Sequence, residues 1–236
     1  MHSNIYEPSF VKNLFNKMSD SYERMNFITS FGFSIIWRKQ FINQLGKSNQ
    51  SLEILDLLSG LGENWNFIIK NNPNSYLKAL DFSEEMIKKS RLKDSVKYGN
   101  IRLYQQDILN NKLPSNHFDR IFCAFGLKTF NQEQIDFLAK TVYRTLKVNG
   151  KFSFIEISIP DNKILKFFYQ FYLSKIIPIL GKIFLGNPSD YKMLWIYTKN
   201  FKDSNKTKEI FERNGLKTNY KKYFFGCASG ITGVKI

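Results

Sequence analysis

The stretch Leu52–Glu63, LEILDLLSGLGE, constrains the fold most: a short apolar run with an acid inside it breaks into Gly60-Leu61-Gly62. Its length and branched aliphatic content predict a buried parallel strand over Leu52–Leu58, and the two glycines let the backbone turn sharply beside a ligand. A second apolar run, Tyr76–Leu80, ends in Asp81. A strand, a glycine turn, a helix and a second strand closed by an acid make up a nucleotide-binding half-domain, the acid being placed to grip ribose hydroxyls. Two glycines alone are common in loops. Asp81 at this separation is what points to a nucleoside-type cofactor, with a plain helix-capping acid as the bland alternative.

The rest of the chain extends this pattern. Residues Phe10–Leu45 read as two or three amphipathic helices broken at Ser30-Phe31-Gly32. After the first strand, a helix over Asn64–Lys70 stops at Asn71-Asn72-Pro73-Asn74. Ser83 is placed to cap a helix that begins with Glu84 and Glu85 and should end near Lys93. A third strand over Ile101–Gln106 ends in Asp107, and a fourth covers Phe118–Ala124. A helix over Gln132–Leu146 should stop at Asn149-Gly150, before a strand over Lys151–Ile157. An aromatic-rich insertion, Pro160–Ser189, precedes a helix at Asp203–Asn214 and two closing strands near Lys217–Phe224 and Gly230–Ile236. Alternating strands and helices ending in a hairpin predict an α/β, doubly wound, mostly parallel sheet in a single domain. Ligands in such sheets sit outside the carboxyl ends of the strands.

Composition narrows the partners. Lys and Arg number 35 against 20 acids, a net charge of +15. This implies an anionic partner such as acidic lipid or an acidic metabolite, or simply a solvated basic surface. No RNA- or DNA-binding signature accompanies the charge. Cys123 and Cys227 lie in apolar stretches, form no metal-ligand or disulfide pattern and fit reduced thiols. With no signal-peptide-like apolar core at the N-terminus, a cytoplasmic location is expected. Ile164–Gly186 approaches membrane-spanning length, but Lys166, Lys175, Lys182 and Pro178 interrupt it, so packing against protein or a membrane surface is expected instead.

Several collinear segments resemble class I S-adenosylmethionine-dependent methyltransferases, and among them the ubiquinone/menaquinone biosynthesis C-methyltransferases. Ser21-Tyr22-Glu23-Arg24-Met25-Asn26, Ser30-Phe31-Gly32 and Trp37-Arg38 resemble that family's N-terminal signature. Phe118-Asp119 with Ala124-Phe125-Gly126-Leu127-Lys128 resembles its strand-four signature. Glu156-Ile157-Ser158, Pro160, Pro178, Gly181, Asp190-Tyr191, Leu194 and Ser229-Gly230-Ile231 follow its substrate-side insertion and closing strand. The chain departs from that pattern at Leu61 and Glu63, where the family carries threonine and aspartate, and at Lys128, where it carries arginine. Ser34, Ile35 and Lys235 also differ from it.

The resemblance implies a seven-stranded sheet, S-adenosyl-L-methionine as cofactor and no metal. The cofactor residues it implies are Asp56, Ser59, Gly60, Leu61, Gly62, Glu63, Asp81, Phe82, Asp107, Ile108 and Ala124. Asp81 would hold the ribose, Asp107 and the Ile108 amide the adenine, and Glu63 could reach the amino group. A phenolic ring carbon becomes nucleophilic when a neighbouring hydroxyl ionises, which calls for a base or a cation. Glu156 is the expected base, Lys128 the cation and Tyr22 a third catalytic candidate, each with a structural alternative. Tyr22, Asn26, Phe125, Lys128 and Tyr191 are the expected substrate residues. His2 and His117 are poor catalytic candidates. The insertion is either core packing or a greasy lid admitting a prenylated ring at the inner face of a membrane. A diverged paralogue methylating another acceptor, or using the cofactor for another reaction, an inactive cofactor-binding scaffold and a homodimer all stay open.

Overall fold

Strand β1 spans Glu53–Leu57, and from Ile54 onward every residue is buried. A strand covered on both faces belongs in mid-sheet. β1 accordingly pairs in parallel with β2 (Tyr76–Asp81) on one side and β4 (Phe118–Ala124) on the other. In the computed structural model, which describes residues 5–185 and 188–236, β3 (Arg102–Gln105) lies outside β2 and β5 (Leu146–Ile157) outside β4. β7 (Ala228–Lys235) and β6 (Leu216–Tyr223) finish the sheet, with β7 antiparallel to both its neighbours. The order β3-β2-β1-β4-β5-β7-β6 reverses direction between β1 and β4, where such sheets bind ligands. His2 and residues 186 and 187 of the expected insertion lie outside the described residues.

Helices cover both faces. On one, α3 (Phe33–Asn43) and α4 (Trp65–Asn71) bury Phe41 and Trp65 with Phe122. On the other, α6 (Gln132–Thr145) and α10 (Asn205–Arg213) bury Leu138 and Phe211 with Phe154. α1 (Pro8–Met18) and α2 (Tyr22–Thr29) lead into α3. α5 (Glu84–Lys97) is capped by Ser83 as expected, its hydroxyl accepting from the Met86 amide. Asn16 of α1 accepts from the Ser83 hydroxyl at 2.6 Å, which ties α1 across the end of β2.

Three expectations shift. α5 runs to Lys97 rather than Lys93, because nothing in between breaks it; Gly99, in left-handed conformation, ends it by donating to the Asp94 carbonyl. α6 stops at Thr145, and Asn149-Gly150 lies inside β5. Asn149 has φ +63°, so this pair forms an irregularity within a strand, where β4 and β5 slip in register. The insertion folds as α7 (Lys163–Phe171), a widened π turn over Tyr172–Ile176, and α8 (Ile177–Leu185), followed by an unanticipated α9 (Pro188–Phe201). Pro178 has no N–H to return to the preceding turn, which accounts for the widening. Both Tyr191 and Tyr197 of α9 are buried, and its apolar residues keep to no single stripe.

Gly62 shows how tightly the turn after β1 is specified. Its φ is +72°, and a Cβ there would come within 2.5 Å of the buried Trp65 ring. Gly62→Ala should therefore lower the free energy of unfolding by about 3 kcal/mol, combining overpacking with left-handed strain. Denaturant titration checks this, and an unchanged midpoint would contradict it.

Candidate active site

The crevice opens where β1, β2 and β4 end. Leu58, Gly60 and Gly62 all have positive φ, so the chain reverses in alternate steps as it leaves β1. This exposes the Gly60 backbone, whose N–H donates to Asp81 Oδ2 at 2.9 Å, while the Ser83 N–H donates to Oδ1 at 2.9 Å. Asp107 ends the next strand, its carboxylate accepting from the Leu109 amide at 2.9 Å. Gly60, Asp81, Phe82, Asp107, Ile108 and Ala124, six of the residues expected to hold a cofactor, line this one crevice.

The other five do not. Asp56 is buried beneath the turn, with Oδ1 accepting from Asn64 at 2.8 Å and Oδ2 without a partner. Ser59 is buried beside it. Leu61, Gly62 and Glu63 line a separate basic hollow on the far side of the turn, with Glu63 Oε2 reaching back to within 3.4 Å of where a Cβ on Gly60 would sit. Glu63 is held there by Arg38 at 3.1 Å and Asn26 at 3.3 Å, and Arg38 continues to Asn64 at 2.7 Å. Sequence reasoning missed the α1 roof, including Val11 and Phe15, and Thr129, Phe130 and Gln134 beyond β4. No local motif announces a helix docking from so far along the chain. Gly126 was legible only as part of a signature; a Cβ there would meet Leu58 Cδ1 at 2.5 Å, so it makes room for the strained Leu58 at the crevice wall.

Burial pushes the Asp81 carboxyl up to about 6, against the pull of the Ser83 and Gly60 amides. Burial likewise pushes Asp56 up to about 7, opposed by Asn64. Each acid keeps a proton in the folded chain where the unfolded chain has lost it. Stability from these two groups is thus full below the ordinary value of 3.8 and lost as pH rises towards about 7. A ligand whose hydroxyls donate to Asp81 needs the charged form. Its affinity should be level well above pH 6 and fall about tenfold per unit below it, which calorimetric titration between pH 5 and 8 would read.

Beside the crevice lies an apolar chamber of about 350 Å³ enclosed by α1–α3, α7–α9 and the ends of β4 and β5. Phe15, Tyr22, Phe125 and Thr129 line both spaces and so form the wall between them. Phe125, at φ +63°, is held by the Arg38 guanidinium 4.9 Å from its ring centre. Burial and the nearby Glu63 charge raise the Tyr22 hydroxyl above its ordinary value, so it keeps its proton. Asn26 and Tyr191 also line the chamber, Tyr191 with its hydroxyl 2.8 Å from that of Ser21.

Lys128, 6% exposed, supplies the charge at the chamber wall. Its ammonium donates to Glu156 Oε1 at 3.1 Å and to the Phe125 carbonyl at 2.5 Å. Glu156 is fully buried; the Ile157 amide also donates to Oε1 at 2.7 Å, and the Lys128 amide to Oε2 at 3.1 Å. Both carboxylate oxygens are therefore engaged, and Glu156 lies behind Lys128, lining neither space. The structure gives the expected base no face towards a substrate. His117 sits at the opposite end of the strands, 2.6 Å from Lys78.

A model of the ubiE/COQ5 methyltransferase family matches residues 3–235. The chain belongs to this family. It is 31% identical over 230 residues to the demethylmenaquinone methyltransferase of Lactococcus lactis, covering 95% of this chain and 89% of that one. It is 33% identical over 192 residues to the ubiquinone/menaquinone biosynthesis C-methyltransferase UbiE of Rickettsia bellii, covering 79% and 76%. A SAM-dependent methyltransferase of Thermotoga maritima superposes with a TM-score of 0.65 at 13% identity, over 95% of this chain and 99% of that one. A phosphoethanolamine N-methyltransferase of Haemonchus contortus, in complex with S-adenosyl-L-methionine, gives 0.62 at 13% identity over 84% of this chain, which spans 52% of that one. These two likenesses show the fold. This member of the ubiE/COQ5 family is a methyltransferase, and its methyl donor is S-adenosyl-L-methionine. The crevice fits such a donor on its own chemistry, with an acid at the end of β2, an exposed glycine backbone facing it and a second acid at the end of β3.

Proposed function

We propose that this enzyme methylates a ring carbon of a quinol-type aromatic acceptor carrying a prenyl tail, demethylmenaquinol or a close relative. The observation that carries the reading is the apolar chamber, lined in part by Lys128 and sharing Phe15, Tyr22, Phe125 and Thr129 with the donor crevice. The names of the curated relatives agree with it. Bound S-adenosylmethionine supplies an electrophilic methyl group.

Asp81 holds the ribose, Asp107 with the Ile108 amide meets the adenine, and the Gly60 backbone gives close access. The apolar walls exclude water and fix the acceptor ring against Phe125 and Tyr22. Proximity of this kind contributes on the order of 7–11 kcal/mol in favourable cases. Lys128 faces the acceptor's hydroxyl and stabilises its ionised form, the hydroxyl proton passing to solvent. This raises the electron density of the neighbouring ring carbon, which gives up its own hydrogen as a proton to solvent once methylated, restoring the aromatic ring. Glu156 acts through Lys128 as a positioning residue: it fixes the ammonium and its charge. Tyr22, keeping its proton, donates to the acceptor rather than abstracting from it.

A peripheral position at the inner face of a membrane is part of this reading, supported by the prenyl tail of the acceptor and the basic balance of the chain; each surface cation contributes roughly 1 kcal/mol near anionic lipid. No helix among the described residues is long and apolar enough to cross one. The test is incubation with methyl-labelled donor and a short-chain demethylnaphthoquinol, followed by NMR of the product. A ring-carbon methyl is expected; label on an oxygen, or no transfer to any quinol, would contradict the reading.

A further inference from the structure

We propose that α7, the turn at Phe31 and the turn at Phe224-Phe225 together form a seat for an anionic phospholipid surface, with the mouth of the chamber opening into it. The proposal rests on the prenylated-acceptor reading and names the partner of that same site.

On α7, Ile164, Phe167, Phe168 and Phe171 are all exposed. Their spacing of i, i+3, i+4 and i+7 makes one continuous apolar stripe, while Leu165 and Tyr169 point inward to the core. A helix that packs Leu165 and Tyr169, both partly buried, against the core and presents a second apolar face outward is built to meet something apolar. Lys163 and Lys166 flank the stripe, and from Lys163 to Leu185 the sequence has four lysines and no acid. An exposed aromatic stripe flanked by lysines, its one neighbouring acid, Asp161, already paired with Lys222, is the pattern of a helix lying in a lipid interface.

Two other segments bring aromatic rings to the same rim. Phe31 is 77% exposed and its ring lies 5.5 Å from that of Tyr172, just after α7. Phe225 is 79% exposed beside Phe224, which stacks on Phe33 at 4.3 Å. Phe31, Phe224 and Phe225 have φ values of 49°, 40° and 52°, a conformation that bulky residues rarely adopt. Strained backbone in two separate turns thus holds phenyl rings outward in water. Phe31, Phe168 and Phe224 also line the chamber, so its mouth opens on this rim. An apolar acceptor could then pass from lipid to chamber without crossing water.

The charge pattern decides between a bilayer and a second copy of the chain. Two such faces in a two-fold contact would oppose lysine to lysine, whereas anionic headgroups complement them.

The test is co-sedimentation of the full chain with phosphatidylglycerol-containing and pure phosphatidylcholine vesicles. The combined variant Ile164→Ser, Phe167→Ser, Phe171→Ser and Phe225→Ser alters exposed positions that do not line the chamber. It should lose partitioning to the anionic vesicles by at least about tenfold. Turnover of a short-chain soluble acceptor should be unchanged, and turnover of a long-chain acceptor in vesicles should fall. If that variant does not fold, Lys163→Glu with Lys166→Glu should weaken binding to anionic vesicles and leave binding to neutral ones unaffected. Wild-type-like partitioning of the variants, no partitioning by the wild type, or a wild-type dimer that the variant dissociates would overturn the seat. Partitioning needs no turnover, so intact partitioning without methyl transfer would refute the acceptor and spare the seat.

Discussion

Replacing Lys128 by methionine is expected to lower kcat by about 10²–10³-fold with a much smaller change in KM, the usual cost of removing one group that stabilises developing oxyanion charge. The single variant carries a second effect, because it leaves Glu156 buried and charged without its partner. Stranding one member of a buried ion pair costs about 3–5 kcal/mol in stability. The double variant Lys128→Met with Glu156→Gln separates the two roles: it should recover most of the lost stability, by thermal unfolding, and none of the turnover. Lys128→Arg, which restores the residue of the family pattern, should retain activity, since charge is kept and a planar fork can still pair with Glu156. Full turnover in the double variant would remove the cation from the mechanism.

Asp81→Ala should weaken donor binding by about 10²–10⁴-fold, as expected from losing two charge-assisted hydrogen bonds of about 1.5–3 kcal/mol each. Stability should move the other way or not at all at neutral pH. Burial already disfavours this carboxylate, and the relief from its removal is offset by about 1–3 kcal/mol for leaving the buried Ser83 amide without its acceptor, the Gly60 amide being nearer the crevice. Calorimetry with S-adenosylmethionine beside a denaturant melt reads both quantities. A variant that binds normally, or that loses binding only because it unfolds, would contradict the ribose role.

What the sequence made legible follows from which physical signals are local. The buried run before Gly60, the acid after β2 and the alternation of strands and helices predict the sheet and the crevice, because each depends on a few adjacent residues. The cap at Ser83 is legible for the same reason. Asn149-Gly150 misleads because left-handed backbone serves a helix end and a strand irregularity equally well. Leu61 and Glu63 look like crevice residues in the linear pattern; both line the hollow on the other side of the turn, while Glu63 Oε2 stays 3.4 Å from the place a Cβ on Gly60 would take, at the crevice edge. Glu156 reads as a base by its place at the end of β5; only the structure shows three N–H donors saturating it. The α1 roof and the paired cavities depend on contacts between segments far apart in sequence, for which a single chain carries no local mark.

The central claim is that the donor lies in the crevice between Gly60 and Asp81 with its reactive end towards the chamber. A crystal structure with S-adenosylhomocysteine tests it most directly. The account predicts the ribose hydroxyls on Asp81, the adenine near Asp107 and Ile108, and the sulfur turned to the wall of Tyr22 and Phe125. A nucleoside lodged in the basic hollow behind Leu61 and Glu63, or a sulfur facing away from that wall, would contradict it.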